Sequence, residues 1–166
     1  MQLPPIEVIA TWPQPNYDNP SEVRGPTILI LNLIFIPLLV ILVALRIYTR
    51  LRLSRNFGAD DIAIIAAVFP TIACAVLALV AVLHYGWSRH VWDVPADQLV
   101  TGLKFVIAVE ILFVTGASLT KVSMLLLINR IMAGGSGTLR RISTSLMVIV
   151  CVDCVIYLIV AVNTCR

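Results

Sequence analysis

The chain has 166 residues, of which 60% are hydrophobic and only 13% charged, with a formal net charge of +3. A soluble domain averages ~45–50% apolar and ~25% charged; here the excess, with mean hydropathy +0.98, is gathered into long blocks that a soluble core does not need. The small positive balance leaves no nucleic-acid footprint, and the basic residues sit at the ends of apolar blocks, where they act as topology signals.

The first segment, residues 1–26, carries Pro4, Pro5, Pro13, Pro15 and Pro20 and neither a basic start nor an apolar stretch of signal-peptide type. It reads as an extended, unstructured tail. Four apolar spans follow, at about 27–48, 60–85, 95–132 and 142–164, each long enough for a hydrocarbon core of ~30 Å. The fold class is therefore all-α, a polytopic membrane helix bundle, with 27–166 as the membrane domain.

The first span contains Asn32, expected to hydrogen-bond a neighbouring helix, and Pro37, expected to kink it. Asp60 and Asp61 open the second, where carboxylates cap free amides and complement the helix dipole. Their expected role is folding and orientation rather than catalysis. Lys104, Glu110 and Lys121 interrupt the third span, and Asp153 lies in the fourth. The sequence stops at Arg166, directly after the fourth span and with no polar tail, which reads as a fragment.

Loop charges assign the sides. Arg46, Arg50, Arg52 and Arg55 join the first span to the second, and Arg130, Arg140 and Arg141 join the third to the fourth; the tail offers Arg24, and the remaining connection offers Arg89 and Lys104. Basic loops stay cytoplasmic, so the amino terminus faces outside, with the plasma membrane as the expected location. The Arg46–Arg55 run reads as a solvated signal that also meets anionic lipid. The lipid bilayer is the one partner the sequence names; an extracellular ligand and a cytoplasmic partner are left unspecified.

Ionisable residues inside a membrane are functional candidates. Counted from Arg130 and Ile142, Lys121 and Asp153 lie at depths of roughly 13 Å and 16 Å. A Lys121–Asp153 pair follows, either structural or part of a ligand or ion site. Glu110, His84 and His90 are expected near the outer side, as a ligand or proton cluster; alternatively His84 is a headgroup anchor beside Tyr85, Trp87 and Trp92. Cys151 and Cys154 have metal-like spacing but lie within an apolar block, where small filler is the simpler role. No catalytic constellation, metal site or cofactor is identified.

Several strings in order resemble one family. They are Arg46-Ile47-Tyr48-Thr49-Arg50, Phe57-Gly58-Ala59-Asp60-Asp61, and Tyr85-Gly86-Trp87-Ser88-Arg89-His90. After Glu110 come Lys121-Val122-Ser123, Asn129-Arg130-Ile131 and Cys165-Arg166. Together they resemble the fungal rhodopsin-domain integral membrane proteins, over about Arg46 to Arg166. Ser88 stands where the family turn has a second glycine. The resemblance implies a seven-helix, receptor-like protein of which this is the amino-terminal part. It does not imply retinal, whose Schiff-base lysine belongs in a seventh helix; Lys121 is in the wrong one. Asn129-Arg130-Ile131 also replaces the Asp-Arg-Tyr string of G-protein-coupled receptors. The alternatives are a transporter using Glu110, Lys121 and Asp153, or a zinc-dependent hydrolase using His84, His90 and Asp93.

Overall fold

A computed structural model describes residues 5–9, 11–14, 16, 25–132 and 137–164. Its architecture is four long helices: α1 (Thr27–Tyr48), α2 (Ala59–His84), α3 (Ala96–Ile131) and α4 (Gly137–Thr164). A π-helical turn, Thr49–Leu53, prolongs α1. No strand occurs among the described residues. All four helices are long and apolar enough to cross a membrane, and the chain is an all-helical multi-pass membrane protein.

The packing is that of a membrane bundle. Leu33, Phe69, Phe113 and Val162 are 65–72% exposed, while the buried apolar side chains among the described residues are Ala67 and Ala81. Large apolar side chains face lipid, and small ones let helices approach. The closest approach is between α2 and α3. A Cβ at Gly116 would lie 2.9 Å from Thr71 Oγ1, so glycine is what lets the two backbones meet there. Asn32 Nδ2 donates to the Ala75 carbonyl at 3.2 Å, tying α1 to α2 as its sequence position suggests. Pro37 and Pro70 both lie inside continuous helices. On the far side, Ser143 Oγ donates to the Leu125 carbonyl at 3.2 Å and sets the register of α4 against α3.

Two boundaries differ from expectation. The fourth helix begins at Gly137 rather than near Ile142, because Thr138 to Arg141 continue the helical ladder despite their polarity. The tail is not uniformly extended either: Ile6–Ile9 form one helical turn. Arg24, Cys165 and Arg166 lie outside the described residues.

Candidate functional site

At the end of the bundle bearing Arg46 and Arg130, three helices meet on two buried carboxylates. Asp60 and Asp61, 2% and 0% exposed, open α2. Asp61 Oδ2 accepts the Gly58 N–H at 3.1 Å, which caps the helix. Its other oxygen takes Arg46 Nε at 3.0 Å, while Arg46 Nη2 reaches Asp60 Oδ2 at 2.9 Å. Arg50, one turn further along, approaches the same two oxygens at 3.6 Å. From α3, Arg130 Nη1 lies 3.0 Å from Asp60 Oδ1, and Arg130 Nη2 donates to the Asn56 carbonyl at 2.6 Å. Buried Ser123 completes the junction by donating to the Asp60 carbonyl at 2.6 Å.

Gly58 is part of this geometry. A Cβ there would fall 2.7 Å from both Arg130 Nη1 and Asp60 Oδ1. The missing side chain makes room for the guanidinium to lie across the start of α2. The strings Arg46-x-x-x-Arg50, Gly58-x-Asp60-Asp61, Ser123 and Arg130 thus converge on one clasp, although 84 positions separate its ends. Both carboxylates are engaged by arginine, so the cluster offers neither an idle base nor a nucleophile. It joins α1, α2 and α3. The expectation that Asp60 and Asp61 serve folding fits this arrangement. The reading of the Arg46–Arg55 run as simply solvated does not hold for Arg46 and Arg50, whose side chains are only 27% and 22% exposed. Tyr48, by contrast, is 58% exposed.

The opposite end carries the aromatic residues. Gly86 ends α2 in a left-handed conformation, φ +69°, with Val94 Cγ2 only 2.9 Å from where a Cβ would be. The α2–α3 connection then folds back over the helix ends. His90 stacks on Trp92 at 4.5 Å and 6°, and Trp12 of the tail packs on Trp92 at 6.3 Å. The Asn16 amide donates to Asp93 Oδ1 at 3.1 Å. Asp93 is 2% exposed, and its Oδ2 has no hydrogen-bond partner among the described residues. Beside it opens a cavity of about 540 Å³, lined by His84, Ser88, Arg89, Asp93, Val94 and Gln98 among others. His84 lines this space; His90 does not, being committed to Trp92. Among the described residues no three His, Cys, Asp or Glu side chains are grouped to hold a metal. The zinc reading of His84, His90 and Asp93 therefore has no geometric basis.

A model of the fungal rhodopsin domain matches residues 45–166. The chain belongs to the fungal rhodopsin domain family. It is also similar to the polyenoic acids biosynthesis gene cluster protein Ba17b of Metarhizium anisopliae, 29% identical over 132 residues, which are 78% of this chain and 36% of that protein. The chain thus spans little more than a third of that relative. No solved structure matches. Every residue of the fungal rhodopsin clasp, Arg46 through Arg130, falls in the matched region, as do Gly86 and His90; Trp12 and most of α1 precede it.

The charges within the spans are not brought together. Lys121 and Asp153 are both exposed, and no ion pair within 4.0 Å joins them among the described residues. The reason is register. Ser143 sits opposite Leu125, so Asp153 lies roughly 9 Å further along the bundle than Lys121. Taking Arg130 and Ile142 as one level misplaced the fourth helix. Glu110 is also not at the outer end. It sits one residue from Val109, whose carbonyl faces Cys74 Sγ at 3.6 Å, well down α2 from His84. Its neighbour is Tyr157 of α4, within side-chain hydrogen-bonding reach. No local pattern announced that pairing, because it depends on helix register.

Proposed function

We propose that this fungal rhodopsin-domain protein is receptor-like, with no catalytic step, and that it lies in the plasma membrane with its tryptophan-bearing end outside and the arginine clasp in the cytoplasm. The observation that carries the reading is the cavity of about 540 Å³ at the end opposite the clasp. Ligand sites are typically clefts of ~300–1,000 Å³ with a few polar groups in an apolar lining. Val82, Leu83, Val94 and Pro95 supply the apolar wall, and His84, Ser88, Asp93 and Gln98 the polar groups. The orientation follows from the basic loops, whose arginines gather at the clasp end.

The relative's association with polyenoic acid biosynthesis makes a short polyenoic acid the first ligand to try. His84 and Arg89 in the cavity wall suit a carboxylate. Thermal stability of the purified full chain should rise saturably with the acid. Ser88→Phe, which fills the cavity, should abolish the rise. A rise that survives Ser88→Phe, or no saturable shift with any acid of a chain-length series, would remove the cavity from the argument. Transport along Glu110, Lys121 and Asp153 has less support, since Glu110 faces Tyr157 and the other two lie at different levels. Uptake by proteoliposomes above protein-free vesicles would favour it.

A further inference from the structure

Arg46 and Arg50 address the clasp in the same way. Arg46 places Nε on Asp61 Oδ1 at 3.0 Å and Nη2 on Asp60 Oδ2 at 2.9 Å. Arg50, one helical turn further along, points the same two atoms at the same two oxygens, both at 3.6 Å. One arginine is seated and the other stands beside the seat. Unpairing a buried carboxylate is strongly unfavourable, and an exchange of Arg50 for Arg46 never leaves either acid unpaired. If the helix itself makes the exchange, α1 advances by four residues, roughly 6 Å along its axis toward the outer side. One-turn ratchets of this kind occur where a packed element has two matching positions.

The rest of α1 permits the movement. Its half-buried stripe runs through Asn32, Ile36, Leu39, Val43 and Ile47. A four-residue advance puts Val43 where Leu39 was and Ile47 where Val43 was, one aliphatic side chain for another. Asn32 leaves the Ala75 carbonyl, now at 3.2 Å, for the level of Leu79, where a helix carbonyl keeps a second lone pair to accept it. Arg46, carried one turn into the span, reaches back to the acids with its long stem. The connection to α2 holds the slack. Arg130 fixes its far part through the Asn56 carbonyl. Between Arg50 and Asn56 the chain is wound: Thr49–Leu53 is π-helical, the Ser54 N–H donates to the Thr49 carbonyl, and the Asn56 N–H donates to the Arg50 carbonyl. Arg55 sits there at φ +46°, a conformation that L side chains rarely adopt. Unwinding four residues from helical to extended rise supplies roughly 7 Å and frees Arg55. We propose that α1 has two registers: the present one, with Arg46 seated on Asp60 and Asp61, and a second, one turn outward, with Arg50 in that seat. The movement has a consequence at the other end. Gly25 and Pro26 line the cavity beside Asp93, and Gly25, Thr27 and Ile28 line a neighbouring one of about 440 Å³. The slide therefore couples the shape of the outer cavities to the state of the clasp, and it does not require either cavity to take a ligand.

The test is a distance measurement by double electron–electron resonance on the purified full chain, with the native cysteines replaced by Ala. Nitroxides at Ile30→Cys on α1 and Ile128→Cys on α3 report the slide, and a second pair at Leu83→Cys on α2 and Ile128→Cys reports the rest of the bundle; all three positions are exposed. Arg46→Gln should lengthen the first distance by roughly 5 Å and leave the second unchanged. Arg50→Gln should hold the first distance at its parent value. Asn32→Ile, which releases α1 from Ala75 without touching the clasp, should also populate the longer distance, and adding Arg50→Gln should abolish that population. This last comparison decides the matter even where Arg46→Gln does not fold. An unchanged first distance in both Arg46→Gln and Asn32→Ile would show that Arg50 replaces Arg46 by side-chain movement alone and would overturn the second register. Lengthening that persists without Arg50, or that appears equally in the Leu83 pair, would overturn it as well, since the bundle would then be loosening rather than α1 sliding.

Discussion

The clasp makes a quantitative prediction about Asp60. Replacing it by Asn keeps the volume but removes the charge that Arg46 Nη2 and Arg130 Nη1 meet at 2.9 Å and 3.0 Å. Breaking a fully buried ion pair costs ~3–5 kcal/mol, whereas exposed pairs contribute ~0–1 kcal/mol. Asp60 is at the buried limit, with its side chain 3% exposed, while Arg46 and Arg130 are each 27% exposed. An intermediate loss of about 2–3 kcal/mol follows. At roughly 2–4 °C per kcal/mol for a chain of this size, Asp60→Asn should lower the melting temperature by about 4–12 °C. Arg130→Gln should cost less, since Arg46 still holds Asp60. The double variant should show a coupling of roughly 1–2 kcal/mol, because contacting residues do not add. Thermal melts in detergent of the parent, both single variants and the double variant supply the cycle. Losses that add within about 0.5 kcal/mol would refute direct coupling between Asp60 and Arg130.

Gly58→Ala should destabilise by loosening Arg130, and combining it with Arg130→Gln should recover part of the loss; equal melting of Gly58→Ala and the parent would contradict the close approach drawn from the 2.7 Å contact. Gly86→Ala combines a positive φ with a Cβ 2.9 Å from Val94 and should lower the melting temperature by several degrees, whereas Gly25→Ala, in open space, should not. Trp12→Ala should expose the tail to proteolysis without changing the melt of the four helices, as limited digestion followed by mass analysis would show. Lys121→Met and Asp153→Leu should have additive effects on stability, and a coupling above about 1 kcal/mol would overturn the register that separates them.

The spans were legible because hydropathy reports directly on which segments lipid will accept. The two carboxylates at the start of α2 were legible for a local reason: a helix start on a basic side rewards acids by capping and by charge. Arg46 and Arg50 were harder. A basic run beside a membrane span has the same composition whether it is solvated or clasped, and only the arrival of Asp60 and Asp61 from the next helix decides. Gly58 carried a usable signal, since a glycine just before two acids at a helix start invites the question of what lies over it. The tail misled because its prolines argue for extension, while one indole, Trp12, finds Trp92 in the α2–α3 connection. That contact joins positions far apart in sequence, beyond the reach of any local pattern.

Lys121 and Asp153 show where depth counting stops. A residue count gives depth only when both helices are referred to a common level, and a glycine-rich connection hides that level. Gly137 already belongs to α4, so five residues assigned to the loop are in fact helix. The resulting offset of roughly 9 Å changes the physical problem. A matched pair would have neutralised both charges at once. Offset and exposed, each would cost roughly 2.5–3.5 kcal/mol at the middle of the hydrocarbon. Snorkelling toward the clasp end relieves Lys121, whose long stem can reach a boundary. Asp153 has a short side chain and lies further from that boundary. Its stabilisation therefore calls for a polar group or for water at that level of α4.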